Sequence, residues 1–77
     1  MQLIQFNEVP NPTELLNPYY FPDCRPVFIY PKNILEVRPL SINPHYTKII
    51  TTNRIIIVDE DCITVYNKLT DSEPPKD

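Results

Sequence analysis

The chain has 77 residues, ten prolines, no glycine and a formal net charge of −3. That length holds one domain with a core near the lower limit of sufficiency, and the mild acidity with scattered cations excludes a phosphate-driven nucleic-acid surface. The longest apolar run is far short of the roughly 20 residues that span a bilayer, and no glycine loop can cradle a nucleotide phosphate.

Residues 1–6, MQLIQF, have the β-propensity of a short strand and lack the charge and hydrophobic length of a signal peptide. From Pro10 to Pro31 six prolines punctuate the chain, and between Val9 and Pro26 they leave no window for a regular helix or a central strand. PTELLNP suits one helical turn, opened at Pro12 or Thr13 and stopped at Pro18. The remainder of the segment reads as an extended, polyproline-like arm, and residues 1–25 are taken together as that arm. It carries Leu15, Leu16, Tyr19, Tyr20 and Phe21, which must either fold back over the core or dock on a partner.

From Arg25 the texture changes. PVFIY is a β-rich run, PKNILEV follows, and RPLSINPHY is a loop. TKIIT and RIIIV then form two β-branched runs separated by TN, a hairpin signature. Thr52 is a poor residue for a two-residue turn with positive φ at both positions, so a three-residue loop with Asn53 left-handed is expected. Without glycine, tight turns must use Asn or Asp.

Next comes DEDCITVYNKL, and two readings compete. Cys62–Tyr66 has strand propensity, whereas Cys62, Val65, Tyr66 and Leu69 share one face of a helix. Asp59 or Asp61 as N-cap, Glu60 at the positive end and Lys68 at the negative end favour the helix. The three acids are then the stop of a strand and the start of a helix buried through Cys62, Val65 and Leu69. The polar, proline-broken residues 70–77 are expected to form a flexible tail.

Residues 27–69 can be laid against a known pattern. Phe28 stands in a first strand, and Pro31, Ile34 and Val37 reproduce a Pro-x-x-Ile-x-x-Ile spacing. Thr47 to Thr51 matches a Thr-rich strand, Asn53 a turn, and Val58 with Glu60 a Val-x-Glu element. Val65, Lys68 and Leu69 fall on a terminal helix. In these features the segment resembles the small bacterial flagellar and motility proteins called FlbD or SwrD. Tyr30 departs from that pattern's Asn, the turn lacks its Gly, the Arg38–Tyr46 loop is longer, and the first 26 residues have no counterpart. The resemblance implies a small β-hairpin domain closed by a helix, without an enzymatic role. The same size and pattern also suits a phage or mobile-element protein.

Site chemistry is sparse. Asp59, Glu60 and Asp61 are consecutive, without the alternation and turn glycine of a calcium loop, so no metal is expected there. His45 is the single histidine, which excludes a multi-histidine metal site, and it sits in the turn INPHYT. A nucleophilic pair would need Cys24 or Cys62 beside it, and neither cysteine has the dense cationic surroundings that depress a thiol pKa. A Cys24–Cys62 bridge is not expected in a cytoplasmic chain. The expected object is therefore mainly β (small α+β), a twisted antiparallel hairpin sheet or SH3-like small barrel over 26–69 with a short C-terminal helix. Its expected work is binding, without enzymatic activity, cofactor or metal. A protein partner, or further copies of itself in a structural assembly, would be contacted through the arm and a sheet edge. Tyr19, Tyr20, Phe21, Arg25 and Tyr46 are the expected contact residues.

Overall fold

The computed structural model describes residues 3–71. Five strands form one antiparallel sheet: β1 (Ile4–Glu8), β2 (Arg25–Ile29), β3 (Ile34–Pro39), β4 (Thr47–Thr51) and β5 (Ile55–Val58). Two short 3-10 turns, Pro12–Leu16 and Pro31–Asn33, and one helix, α1 (Cys62–Asp71), complete the elements among the described residues. The sheet order is β2-β1-β5-β4-β3, a meander whose first strand also pairs with its last.

That order puts β2 and β3 on opposite edges, yet only Tyr30–Asn33 connects them. In a flat sheet the two edges would stand about 19 Å apart, at about 4.8 Å per strand. A link wound as a 3-10 turn advances only about 2 Å per residue. The sheet must therefore curl, and residues from both edge strands, Val27 and Ile34, pack on one common core. The product is an open barrel.

Alternation builds that core. On β1 Ile4 and Phe6 point in while Gln5 is exposed, and Phe6 is 0% accessible. On β4 Thr47, Ile49 and Thr51 point in. Ile29, Ile56, Val58 and the helix residue Val65 complete the buried cluster, with Val37 and Leu69 packed on its margin. The two inward threonines are satisfied: Thr47 Oγ1 donates to Glu60 O at 2.6 Å and Thr51 Oγ1 to Arg54 O at 2.8 Å.

Two expectations change and two open points are settled. First, the domain does not begin at residue 26. Ile4–Glu8 pairs with β2 along its length and with β5 at Glu8↔Val58, so the arm proper is residues 9–24. Second, Asn53 is not left-handed; no described residue has positive φ. The Thr51 hydroxyl closes the turn instead, because it also accepts from Arg54 N at 3.1 Å. Third, PKNILEV contains a strand that alternation hides. Leu35 is an extra residue in a bulge between the Ile34↔Thr51 and Glu36↔Ile50 pairs, so the period slips within β3. Fourth, of the two readings for residues 62–69 the helix is the one observed, extending to Asp71. Val65 is its one fully buried residue, Leu69 packs on the core margin and Cys62 is half-buried. Most of the expected tail, residues 72–77, lies outside the described residues.

Candidate partner-contact surface

Both long loops leave the same end of the barrel. The arm joins β1 to β2, the 40–46 loop joins β3 to β4, and the β5–α1 junction lies between them. Within the arm, burial alternates residue by residue from 19 to 24: Tyr19, Phe21 and Asp23 are exposed, while Tyr20, Pro22 and Cys24 are half-buried. That is the period of an extended chain lying on a surface. Tyr19 is 92% and Phe21 94% exposed, whereas Leu15 and Tyr20 are partly covered. The arm thus covers itself with one side and presents the other.

Asp59 holds the inward side. Its Oδ1 accepts from His45 Nε2 at 2.8 Å, and its Oδ2 is 3.8 Å from Cys24 Sγ, a weak thiol donor. One carboxylate therefore ties the base of the arm to the 40–46 loop. That loop is tightened by Leu40 N to Tyr46 O at 2.9 Å and by His45 N to Asn43 Oδ1 at 3.1 Å. The His45 and Tyr46 rings meet edge to face, 5.1 Å between centroids. Burial, and then the Asp59 charge, push the Cys24 thiol above its ordinary value. The same two causes, in the same order, push up the Tyr46 phenol, with Cys24 and Tyr20 adding to the shift. The arrangement places a carboxylate between thiol and imidazole. It favours the protonated thiol, the reverse of what a nucleophile requires.

The three consecutive acids have three separate tasks. Asp59 makes the contacts just described. Glu60 turns inward, where Oε1 accepts from Asn7 N at 2.9 Å and Oε2 makes an ion pair with Lys68 Nζ at 2.7 Å, without hydrogen-bond geometry. Asp61 caps α1: its Oδ1 accepts from Thr64 N at 2.8 Å, and Val65 N closes the first helical bond on Asp61 O. The expectation of a capping cluster holds for Asp61, whereas Glu60 is buried and belongs to no solvated turn. Among the described residues no group of three His, Cys, Asp or Glu side chains is placed to hold a metal ion.

The five expected contact residues fall into two sets. Tyr19 and Phe21 face out, and Arg25, the first residue of β2, is exposed beside them in sequence. Tyr20 and Tyr46 are half-buried and support the arm from beneath. The opposite end of the barrel holds a feature the sequence reading missed. It is a recess of about 140 Å³ with Leu3, Phe28, Ile29 and Tyr30 on one side and Thr51 and Arg54 on the other. Its residues come from three separated segments, and no local pattern signals it.

Fold and surface define a class: a small, mainly β domain, an open five-stranded antiparallel barrel with one C-terminal helix and a long, aromatic-bearing connection between its first two strands. Beyond the class, no family model, curated protein or solved structure matches the chain. Among the described residues no helix is long and apolar enough to cross a membrane.

Proposed function

We propose that the chain is a non-enzymatic binding or regulatory protein of the cytoplasm that contacts a protein partner through the outward row of its arm, Tyr19 and Phe21, with Arg25 beside it. The observation that carries this reading is the alternation over residues 19–24, which leaves two large aromatics over nine-tenths exposed on a segment anchored from its other side. Anchoring matters because contact energy is reduced by the entropy of ordering the contacting groups. Three inward residues and the Asp59 contacts already supply that order, and aromatic side chains with few rotors are the usual anchors of protein interfaces.

The sheet edges suit the task less well than the arm does. Strand addition needs a free ladder of amides, and both edges are blunted. Pro26 interrupts β2, while the Leu35 bulge and Pro39 interrupt β3. The hairpin offers no wholly free edge either, since β4 is paired with β3 and β5 meets β1.

A test by deleting residues 1–25 would remove β1 and the core residues Ile4 and Phe6, so point variants are needed. Tyr19→Ala combined with Phe21→Ala should melt within about 0.5 kcal/mol of the wild-type chain, as exposed substitutions do. The same variant should lose capture of its partner from the native host. A loss of stability well above that margin, or undiminished capture, would show that the aromatics serve the fold or nothing.

A further inference from the structure

The geometry points to a second copy of this chain as the occupant of the recess, with the arm's Phe21 as the inserted side chain and its Asp23 paired to Arg54. The inference rests on the reading of the arm as a contact segment and names its partner.

Size is the first argument. A recess of about 140 Å³ walled by Leu3, Phe28 and Tyr30 is comparable to the cavities of about 150 Å³ that accept one benzene ring. Phe21 is such a ring, and it is 94% exposed in the isolated chain. Leu3, Phe28 and Tyr30 are themselves exposed, so the recess offers apolar surface that nothing in the described chain covers.

Charge is the second. Arg54 lines the recess, and its guanidinium has no carboxylate partner among the described residues. Asp23 likewise is exposed and makes no ion pair among them. Along an extended chain Phe21 and Asp23 project to the same side, about 6.6 Å apart, so a ring seated in the recess brings its own carboxylate to the Arg54 rim. An aromatic row without an acid would fit only half of this site.

Topology makes the contact intermolecular. The arm enters β2 at Arg25, and the recess lies past the other end of β2, at Ile29 and Tyr30. Five residues of strand separate them by roughly 16 Å, and the arm's base is held at the near end by the Cys24–Asp59 contact. One chain cannot fill its own recess, so each copy presents one knob and one socket to its neighbours.

Sedimentation velocity of the full chain up to about 1 mM tests this. The wild-type chain should self-associate, and Phe21→Ala and Arg54→Asp should each weaken that association by about tenfold or more while keeping their thermal melts. Mixing these two variants should restore a one-to-one complex, because the first retains a socket and the second a knob. Combining Asp23→Arg with Arg54→Asp should restore self-association within one chain. A wild-type chain that stays monomeric throughout overturns the inference, as does a mixture that fails to associate. If the chain is monomeric and the Tyr19/Phe21 double variant still folds but loses a foreign protein, self-association fails and the arm reading survives.

Discussion

Glu60 and Lys68 form an ion pair at 2.7 Å that fastens the helix to the first strand of the sheet. The carboxylate is 7% exposed and also accepts from Asn7 N, while the ammonium, 36% exposed, donates to Gln5 O at 2.9 Å and lies 5.2 Å from the Phe6 ring centroid. Both partners thus reach from the β5–α1 segment to β1, which is otherwise paired with β5 only at Glu8↔Val58.

Removing one partner should hurt more than removing both. Lys68→Met strands a buried carboxylate, a change that costs about 3–5 kcal/mol when the pair is fully enclosed. Partial exposure of Lys68 lowers that to about 2–3 kcal/mol by solvent screening. Combining it with Glu60→Leu should recover much of the loss, since an apolar pair of similar volume needs no desolvation of charge. Chemical denaturation of the two variants decides it; equal midpoints would mean that the carboxylate left without its lysine carries no penalty.

The helix cap gives a pH signature. Hydrogen bonds from the Thr64 backbone, and next its side chain, hold the Asp61 carboxyl below its ordinary range. A depressed folded pKa means that the unfolded state binds the proton more readily. The stabilisation is thus fully present above the ordinary carboxylate value near pH 4 and fades as the pH falls through the lower folded value. Asp61→Ala should lower the melting temperature at pH 7, and the gap between variant and wild type should narrow as the pH falls below the ordinary carboxylate range. A gap that is constant with pH would exclude the carboxylate as its cause.

At the hairpin tip the expected outcome runs against the usual engineering rule. Asn-Gly turns favour left-handed φ, but Asn53 does not adopt it. Asn53→Gly should therefore give no stabilisation and, by loosening the unfolded chain, cost a fraction of a kcal/mol. Thr51→Val should cost about 1–3 kcal/mol, because it removes a buried hydroxyl that both donates to Arg54 O and accepts from Arg54 N. Thermal melts of the two variants against wild type measure both effects.

The contrast between these two turn residues shows what the sequence could reveal. Continuous β-branched runs such as TKIIT and RIIIV made the hairpin legible, and an acid before a 3.6-residue apolar period made α1 legible. β1 was visible as a strand but not as a member of the domain, because nothing local shows that Phe6 meets Ile49 and Val65. β3 was lost to the Leu35 bulge, which shifts the alternation by one residue midway. The aromatic arm was recognisable from Tyr19, Tyr20 and Phe21. Which of the three face outward depends on the placing of Cys24 against Asp59, a contact across 35 positions that no short motif encodes. The recess was invisible for the same reason, its walls being brought together only by the curl of the sheet.

The Cys24–Asp59 contact also makes a chemical prediction. Burial raises the thiol pKa first and the Asp59 charge adds to it, so at neutral pH Cys24 is held as the thiol and should alkylate slowly. Asp59→Asn removes the charge while keeping the size and one hydrogen-bonding oxygen. The thiolate fraction at Cys24 should then rise, and with it the rate of alkylation. Iodoacetamide labelling at pH 7.5, with the two cysteines resolved by peptide mass spectrometry, reads Cys24 against Cys62 in one sample. Cys62 lies near the Thr47 hydroxyl, at 3.7 Å, rather than beside Asp59, and serves as the internal control. Faster labelling of both thiols would indicate general loosening of the barrel end, and only selective acceleration at Cys24 supports an electrostatic hold on the base of the arm. A rate at Cys24 unchanged by Asp59→Asn would mean that burial alone protects it, and that the carboxylate's task is confined to His45.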